Sequence, residues 1–101
     1  MKKIVFLAPA EEELFDAASY YNAQADGLGD DFIAKVESVV HRIAENPRSG
    51  KIVRGEIRRY LIRRFPFGIL YRIDPEEIVI IAVMHLRRRP GYWKRRKHRQ
   101  K

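Results

Sequence analysis

Residues 67–86 read FGILYRIDPEEIVIIAVMHL, and this stretch decides the fold. Phe67, Ile69, Tyr71 and Ile73 alternate with Gly68, Leu70 and Arg72, the period-two pattern of a strand that presents one face to a core. Asp74-Pro75-Glu76-Glu77 follows with the composition of a turn into the next strand. Ile78 to Leu86 is the most apolar run of the chain and has no alternation, so it is expected to be a central strand flanked and covered on both sides. Two adjacent strands of this kind make a hairpin that needs further layers.

The residues upstream supply them. Ile57 to Phe65 is a strand candidate in which Tyr60, Leu61 and Ile62 are interleaved with Arg58, Arg59, Arg63 and Arg64, and Pro66 ends it. Arg58 and Arg64 share the face of Tyr60 and Ile62, while Arg59 and Arg63 share that of Ile57, Leu61 and Phe65. Parity alone leaves open which set faces solvent. Further upstream, Lys3 to Leu7 reads as a short strand buried on both faces and stopped by Pro9. Pro9 with Glu11 to Glu13 marks a helix start, and Leu14, Ala17, Ala18 and Tyr21 give it one apolar face. Gly27 and Gly29 break that pattern, and Asp30 and Asp31 favour a second helix. Its stripe is Phe32, Val36, Val39, Val40 and Ile43, closed by Asn46 and Pro47. The expected fold is α+β in the order βααβββ. An N-terminal antiparallel helical hairpin packs on one face of a mostly antiparallel four-stranded sheet, and a basic C-terminal tail follows. Residues 1–93 would form the domain and 94–101 the tail.

Charge narrows the function. The chain has 101 residues, no cysteine and a net charge of +8. Residues 1–50 hold five Lys/Arg against nine Asp/Glu, a net of −4, whereas residues 51–101 hold sixteen against four, a net of +12. The second half therefore seeks an acidic partner: nucleic acid, an anionic surface or an acidic protein. Nine of the last fifteen residues are Lys or Arg and none is acidic. No apolar run approaches the roughly 20 residues of a membrane span. Lys2-Lys3 and the short apolar run after them stop at Glu11 to Glu13, too early for a signal peptide. A cytoplasmic protein with no membrane partner is expected.

The arginine ladder on the 57–65 strand, Arg72 on the next one, and Arg87, Arg88 and Arg89 after His85 are the strongest candidates for an anion site, because guanidinium groups fork onto phosphates and carboxylates. Trp93, Lys94, Arg95 and Arg96 extend that surface. Alternatively, such arginines merely keep a sheet face soluble. His85 and Tyr92 are of the right types to serve as base and acid in RNA cleavage, with arginines to hold the phosphate. A strand-end histidine that only hydrogen-bonds into the fold is the competing reading. His41 and His98 have no partners at metal-ligand spacing, and no phosphate loop is present, so neither metal nor cofactor is expected.

Taken in order, Tyr20-Tyr21, Gly27-Leu28-Gly29, Phe32, Ile43, Asn46-Pro47, Arg58-Arg59, Phe65-Pro66-Phe67, Tyr71, Ala82-Val83-Met84-His85, Arg88-Arg89-Pro90 and Tyr92-Trp93 resemble the RelE/ParE superfamily, the toxins of bacterial type II toxin–antitoxin pairs. The resemblance covers about nine-tenths of the chain. It implies a toxin that arrests growth until an acidic antitoxin wraps its sheet and groove, with operator DNA met only through the antitoxin complex. In RelE-like members the implied activity is ribosome-dependent mRNA cleavage, for which Arg59, His85, Arg88 and Tyr92 fall at matching positions. In ParE-like members it is inhibition of DNA gyrase without nuclease chemistry. Two departures tip the reading toward ParE. The lysines of the RelE-like pattern are represented at best by Lys51, and the hairpin around Gly27-Leu28-Gly29 is more ParE-like. A third reading, a nucleic-acid-binding module without toxicity, rests on the basic tail alone.

Overall fold

In the computed structural model, which describes residues 1–96, the 67–86 stretch forms the expected hairpin, β4 (Phe67–Ile73) and β5 (Glu77–His85), paired antiparallel. The pairing carries one irregularity. Leu70 faces Ala82 and Tyr71 faces Ile80, so Ile81 is an extra residue on β5. Such a bulge shifts side-chain parity by one. Ile78, Ile80 and Val83 consequently point into one core, while Val79, Ile81, Ala82 and Met84 point into a second core on the opposite face. A strand apolar throughout is what a sheet covered on both faces requires.

The sheet has five strands, in the order β1-β5-β4-β3-β2, rather than the expected four. β1 (Lys3–Phe6) runs parallel to β5, β3 (Ile57–Ile62) pairs antiparallel with β4, and β2 (Lys51–Arg54) pairs antiparallel with β3. β2 is the strand missing from the sequence reading: four residues, all exposed, on the sheet's edge. Two other expectations are corrected. β1 is the opposite edge strand and only half-buried, not covered on both faces, since nothing pairs beyond it. β3 stops at Ile62, because residues 63–66 turn and Arg64 takes a left-handed φ of 75°.

Two helices cover one face. α1 (Ala8–Gln24) has Pro9 in its first turn and buries Ala10, Leu14 and Ala18, with Ala17 and Tyr21 packed at the margin. α2 (Leu28–Glu45) follows Gly27, whose φ is 82°, and buries Phe32, Val36, Val39 and Ile43 against Ile69, Tyr71 and Ile78. Tyr21, Phe32, Phe65 and Phe67 meet edge-on or tilted, with centroids 4.9 to 6.2 Å apart. The helices approach so closely at Gly29 that a Cβ there would collide with the Ala18 carbonyl oxygen and the Asn22 side chain, whose Oδ1 accepts the Gly29 N–H at 2.7 Å. Backbone cannot swing aside as a side chain would. Gly29→Ala is therefore expected to cost about 1–3 kcal/mol, read as a lower midpoint in urea unfolding.

A short helical turn, Pro47–Ser49, joins α2 to β2. The buried Tyr71 hydroxyl fastens it, donating to the Pro47 carbonyl at 2.6 Å and accepting from the Gly50 N–H at 2.9 Å. Burial, more than any charge, raises the Tyr71 pKa. Tyr71→Phe leaves both backbone groups without that partner, an expected loss of about 1–3 kcal/mol in the same measurement. No helix among the described residues is long and apolar enough to cross a membrane.

Candidate functional surface

β1 ends at Phe6 and the chain turns away into α1, the last β-type bond being Leu7 N–H to the Ile80 carbonyl. Beyond that point β5 has no strand on its β1 side, and the backbone groups on that edge need other partners. Glu13 of α1 and Arg96 of the C-terminal segment provide them. The Val83 N–H donates to Glu13 Oε1 at 2.9 Å, and Arg96 donates to the Ile81 carbonyl at 3.1 Å. Arg96 also forks onto both oxygens of Glu13 at 2.9 Å, and the Tyr92 hydroxyl donates to Glu13 Oε2 at 2.7 Å. Arg88 lies over the Tyr92 ring, 3.7 Å from its centroid. Residues 86–96 thus form a strap across the end of the sheet. Trp93 drives it down, buried in the second core with Leu7, Leu70, Ile81 and Met84.

This arrangement decides what the sequence-predicted residues are free to do. Burial first, then the hydrogen bond to Glu13 and its charge, raise the Tyr92 pKa far above that of an ordinary phenol, so the hydroxyl stays protonated and committed to Glu13. His85 ends β5 with its ring edge-on to Phe67, centroids 5.0 Å apart. Its Nδ1 accepts the Arg87 N–H at 3.0 Å. A neutral ring so placed carries its proton on Nε2 and donates there rather than accepting. His85 and Arg88 do line one cleft, but Glu13 and Asp16 line it too. A phosphate entering there meets two carboxylates as well as the cation.

Arg59 lies elsewhere. It stands on the sheet face opposite the helices and lines a separate groove with Val53, Arg54, Leu70, Met84, Pro90, Gly91 and Trp93. Of the four residues matched to RNA cleavage, the structure groups His85, Arg88 and Tyr92 and leaves Arg59 apart. The parity left open in the sequence is resolved by Tyr60 and Ile62, which pack on the helices. Arg58 shares their face but staples the 47–50 turn, donating to the Arg48 and Gly50 carbonyls at 3.1 and 2.8 Å. Arg72 is paired with Asp74 at 2.9 Å, and that hydrogen bond raises its pKa.

Arg63 and Arg64 are exposed in the β3–β4 turn, and Arg87, Arg89, Lys94 and Arg95 are exposed on the strap. Residues 97–101 of the expected tail lie outside the described residues. Among the described residues no cluster of His, Asp and Glu could hold a metal ion. Sequence reasoning missed Glu13 and Arg54. Glu13 sits beside Leu14 at the margin of the α1 stripe, the one signal that separates it from Glu11 and Glu12.

Comparisons with known proteins agree with this architecture. A family model described as the ParE toxin of type II toxin-antitoxin system, parDE, matches residues 4–90. The chain is 33% identical over 76 residues to Toxin ParE2 of Mycobacterium tuberculosis, in strains CDC 1551 / Oshkosh and ATCC 25618 / H37Rv alike. The match covers 74% of this chain and 72% of the relative. Its fold is similar to a chain of the solved chromosomal ParDE TA system from P. aeruginosa, with TM-score 0.65 and 18% identity, covering 84% of this chain and 96% of that one.

Proposed function

Since the chain belongs to the ParE toxin family of type II toxin–antitoxin systems, we propose that it arrests growth by inhibiting DNA gyrase, without cleaving mRNA, until an acidic antitoxin occupies its cationic surface. It meets operator DNA only through that antitoxin. The observation that carries the choice of target is the commitment of Tyr92 to Glu13. With that hydroxyl's proton donated to Glu13, His85 Nδ1 occupied by the Arg87 N–H and Arg59 on another face, the acid, the base and one of the phosphate-binding arginines are not free to meet at one phosphodiester. A nuclease needs all three within hydrogen-bond reach of one phosphodiester. Gyrase inhibition asks only for a binding surface, and the exposed arginines at 63, 64, 87 and 89 supply one.

Induced alone, the chain is expected to halt growth, and purified chain to reduce supercoiling by purified gyrase while mRNA on translating ribosomes stays intact. Ribosome-dependent mRNA fragments that vanish in His85→Ala would replace this reading with the endonuclease one. Unimpeded growth with soluble protein present would remove the toxin reading altogether.

A further inference from the structure

The sheet ends in two edge strands, and they are not guarded alike. β2 carries Lys51 and Arg54, and its register with β3 shifts between Ile52 and Arg54. Charged residues and an irregular register are devices that keep an edge from pairing with a further strand. Apart from Lys3 at its start, β1 has neither. Its register with β5 runs unbroken from Lys3 to Phe6, and Ile4, Val5 and Phe6 are each half-buried. The Lys3 N–H donates to the Glu76 carbonyl and the Leu7 N–H to that of Ile80, so residues 3, 5 and 7 turn their backbone groups toward β5. By alternation Ile4 and Phe6 turn theirs outward, where no described strand pairs with them. Their side chains pack at the margin of the first core, beside a cleft of about 300 Å³ that Leu14, Val36, Val40 and Ala44 also line.

We infer that β1 pairs antiparallel with β1 of a second copy about a twofold axis at Val5, joining two five-stranded sheets into one of ten strands. The strand is its own complement in that register. Ile4 of each copy lies opposite Phe6 of the other, on the same face of the sheet, and their outward backbone groups exchange four hydrogen bonds across the axis. Centring the pair on Ile4 or on Phe6 leaves only two, because the remaining residue would meet Lys2, before the strand, or Ala8, in α1. A twofold contact of this kind closes on itself and leaves the guarded β2 edges outermost. Charge agrees. Two copies meeting at β2 would set Lys51 and Arg54 against their own kind, whereas the charged residues lining the cleft beside β1 are Glu37 and His41, and the +12 half of the chain contributes none. The two strands and the cleft walls of both copies offer roughly 1,000 Å², the low end of specific interfaces, which suits a micromolar dimer in exchange with monomer. The pairing requires nothing of the toxin's target.

The chain has no cysteine, so one introduced at Val5 reports the axis alone. In a non-hydrogen-bonded antiparallel pair the two Cα atoms lie about 4.5 Å apart, within the span of a disulfide. Purified full-chain Val5→Cys oxidised with diamide is therefore expected to run as a linked dimer on a non-reducing gel. Lys3→Cys, on the same face but about 14 Å from its mate at roughly 3.4 Å per residue, should stay monomeric. In sedimentation equilibrium the wild type should rise with concentration toward twice its 12.0 kDa. Val5→Lys sets like charges on the axis and should raise the dimer Kd at least tenfold while keeping the circular dichroism of the folded chain. Amide exchange at Ile4 and Phe6 should slow as the dimer forms. A wild type that remains monomeric to millimolar concentration overturns the proposal, as does equal cross-linking by Lys3→Cys. So does self-association that survives Val5→Lys; where it vanishes in high salt, the contact is between the acidic first half of one copy and the basic second half of another. Should Val5→Lys fail to fold, the two cysteine variants decide alone.

Discussion

Replacing Glu13 by alanine is expected to destabilise the fold by about 3–5 kcal/mol, or roughly 12–24 °C in Tm for the lower figure. Glu13 is not a surface ion-pair partner, whose removal would cost at most about 1 kcal/mol. Its side chain and that of Arg96 are only 15% and 17% exposed. It accepts from a strand N–H, a phenol and both ends of a guanidinium. Alanine leaves all of these groups without their acceptor, and the cost lies in that orphaning rather than in the lost attraction. Arg88, half exposed and 3.8 Å away, adds little. Glu13→Gln, which keeps an acceptor oxygen but not the charge, should fall between.

Amide exchange at Val83 should rise in step with the loss, because that N–H depends on the carboxylate. The strap also carries an alkaline signature. Tyr92 has a folded pKa raised above its unfolded value near 10, so its contribution is complete below about pH 10 and is lost as pH climbs from there toward the folded value. Tyr92→Phe should remove that part of the alkaline decline while leaving the neutral-pH profile flat. A Glu13→Ala protein that melts with the wild type would mean that β5 fills its open edge with water at no cost.

The hairpin was legible because its signals are local. Alternation in 67–73, a Pro-containing turn and a dense apolar run each follow from neighbours in sequence. β2 was not, since Lys51–Arg54 is four exposed residues whose only strand-forming influence is β3 across a turn. The bulge at Ile81 was also invisible. One extra residue in the seven-residue apolar run of 78–84 leaves no mark on composition, yet it is what lets β5 serve two cores. For the candidate site, counting located the basic half but not which cations are free. That is set by acids and carbonyls distant in sequence: Glu13 for Arg96, 83 positions away, and the Gly50 carbonyl for Arg58. Arg54 and Arg59 remain open because no described carboxylate faces their groove. Resemblance to a family supplied what local patterns could not, the order of pieces along the whole chain.

Trp93→Ala should cost a further large amount, about 3–5 kcal/mol, and the loss should be global rather than a fraying of the last residues. Trp93 is the largest side chain covering the second core, and Leu70, Ile81 and Met84 beneath it are all but inaccessible to water. Helices cover only the other face of the sheet, so the strap is what makes the apolar face of β4 and β5 an interior. Removing the indole opens a cavity whose floor belongs to the two central strands, and their stability is that of the domain. Urea unfolding followed by far-ultraviolet circular dichroism should therefore show a single transition at a lower midpoint, with Trp93→Phe less affected. An unchanged midpoint would mean that residues 86–96 merely rest on a sheet already stable without them. That outcome would also weaken the groove beside Arg59, since Pro90, Gly91 and Trp93, which line it, would then belong to an appendage and not to the folded surface.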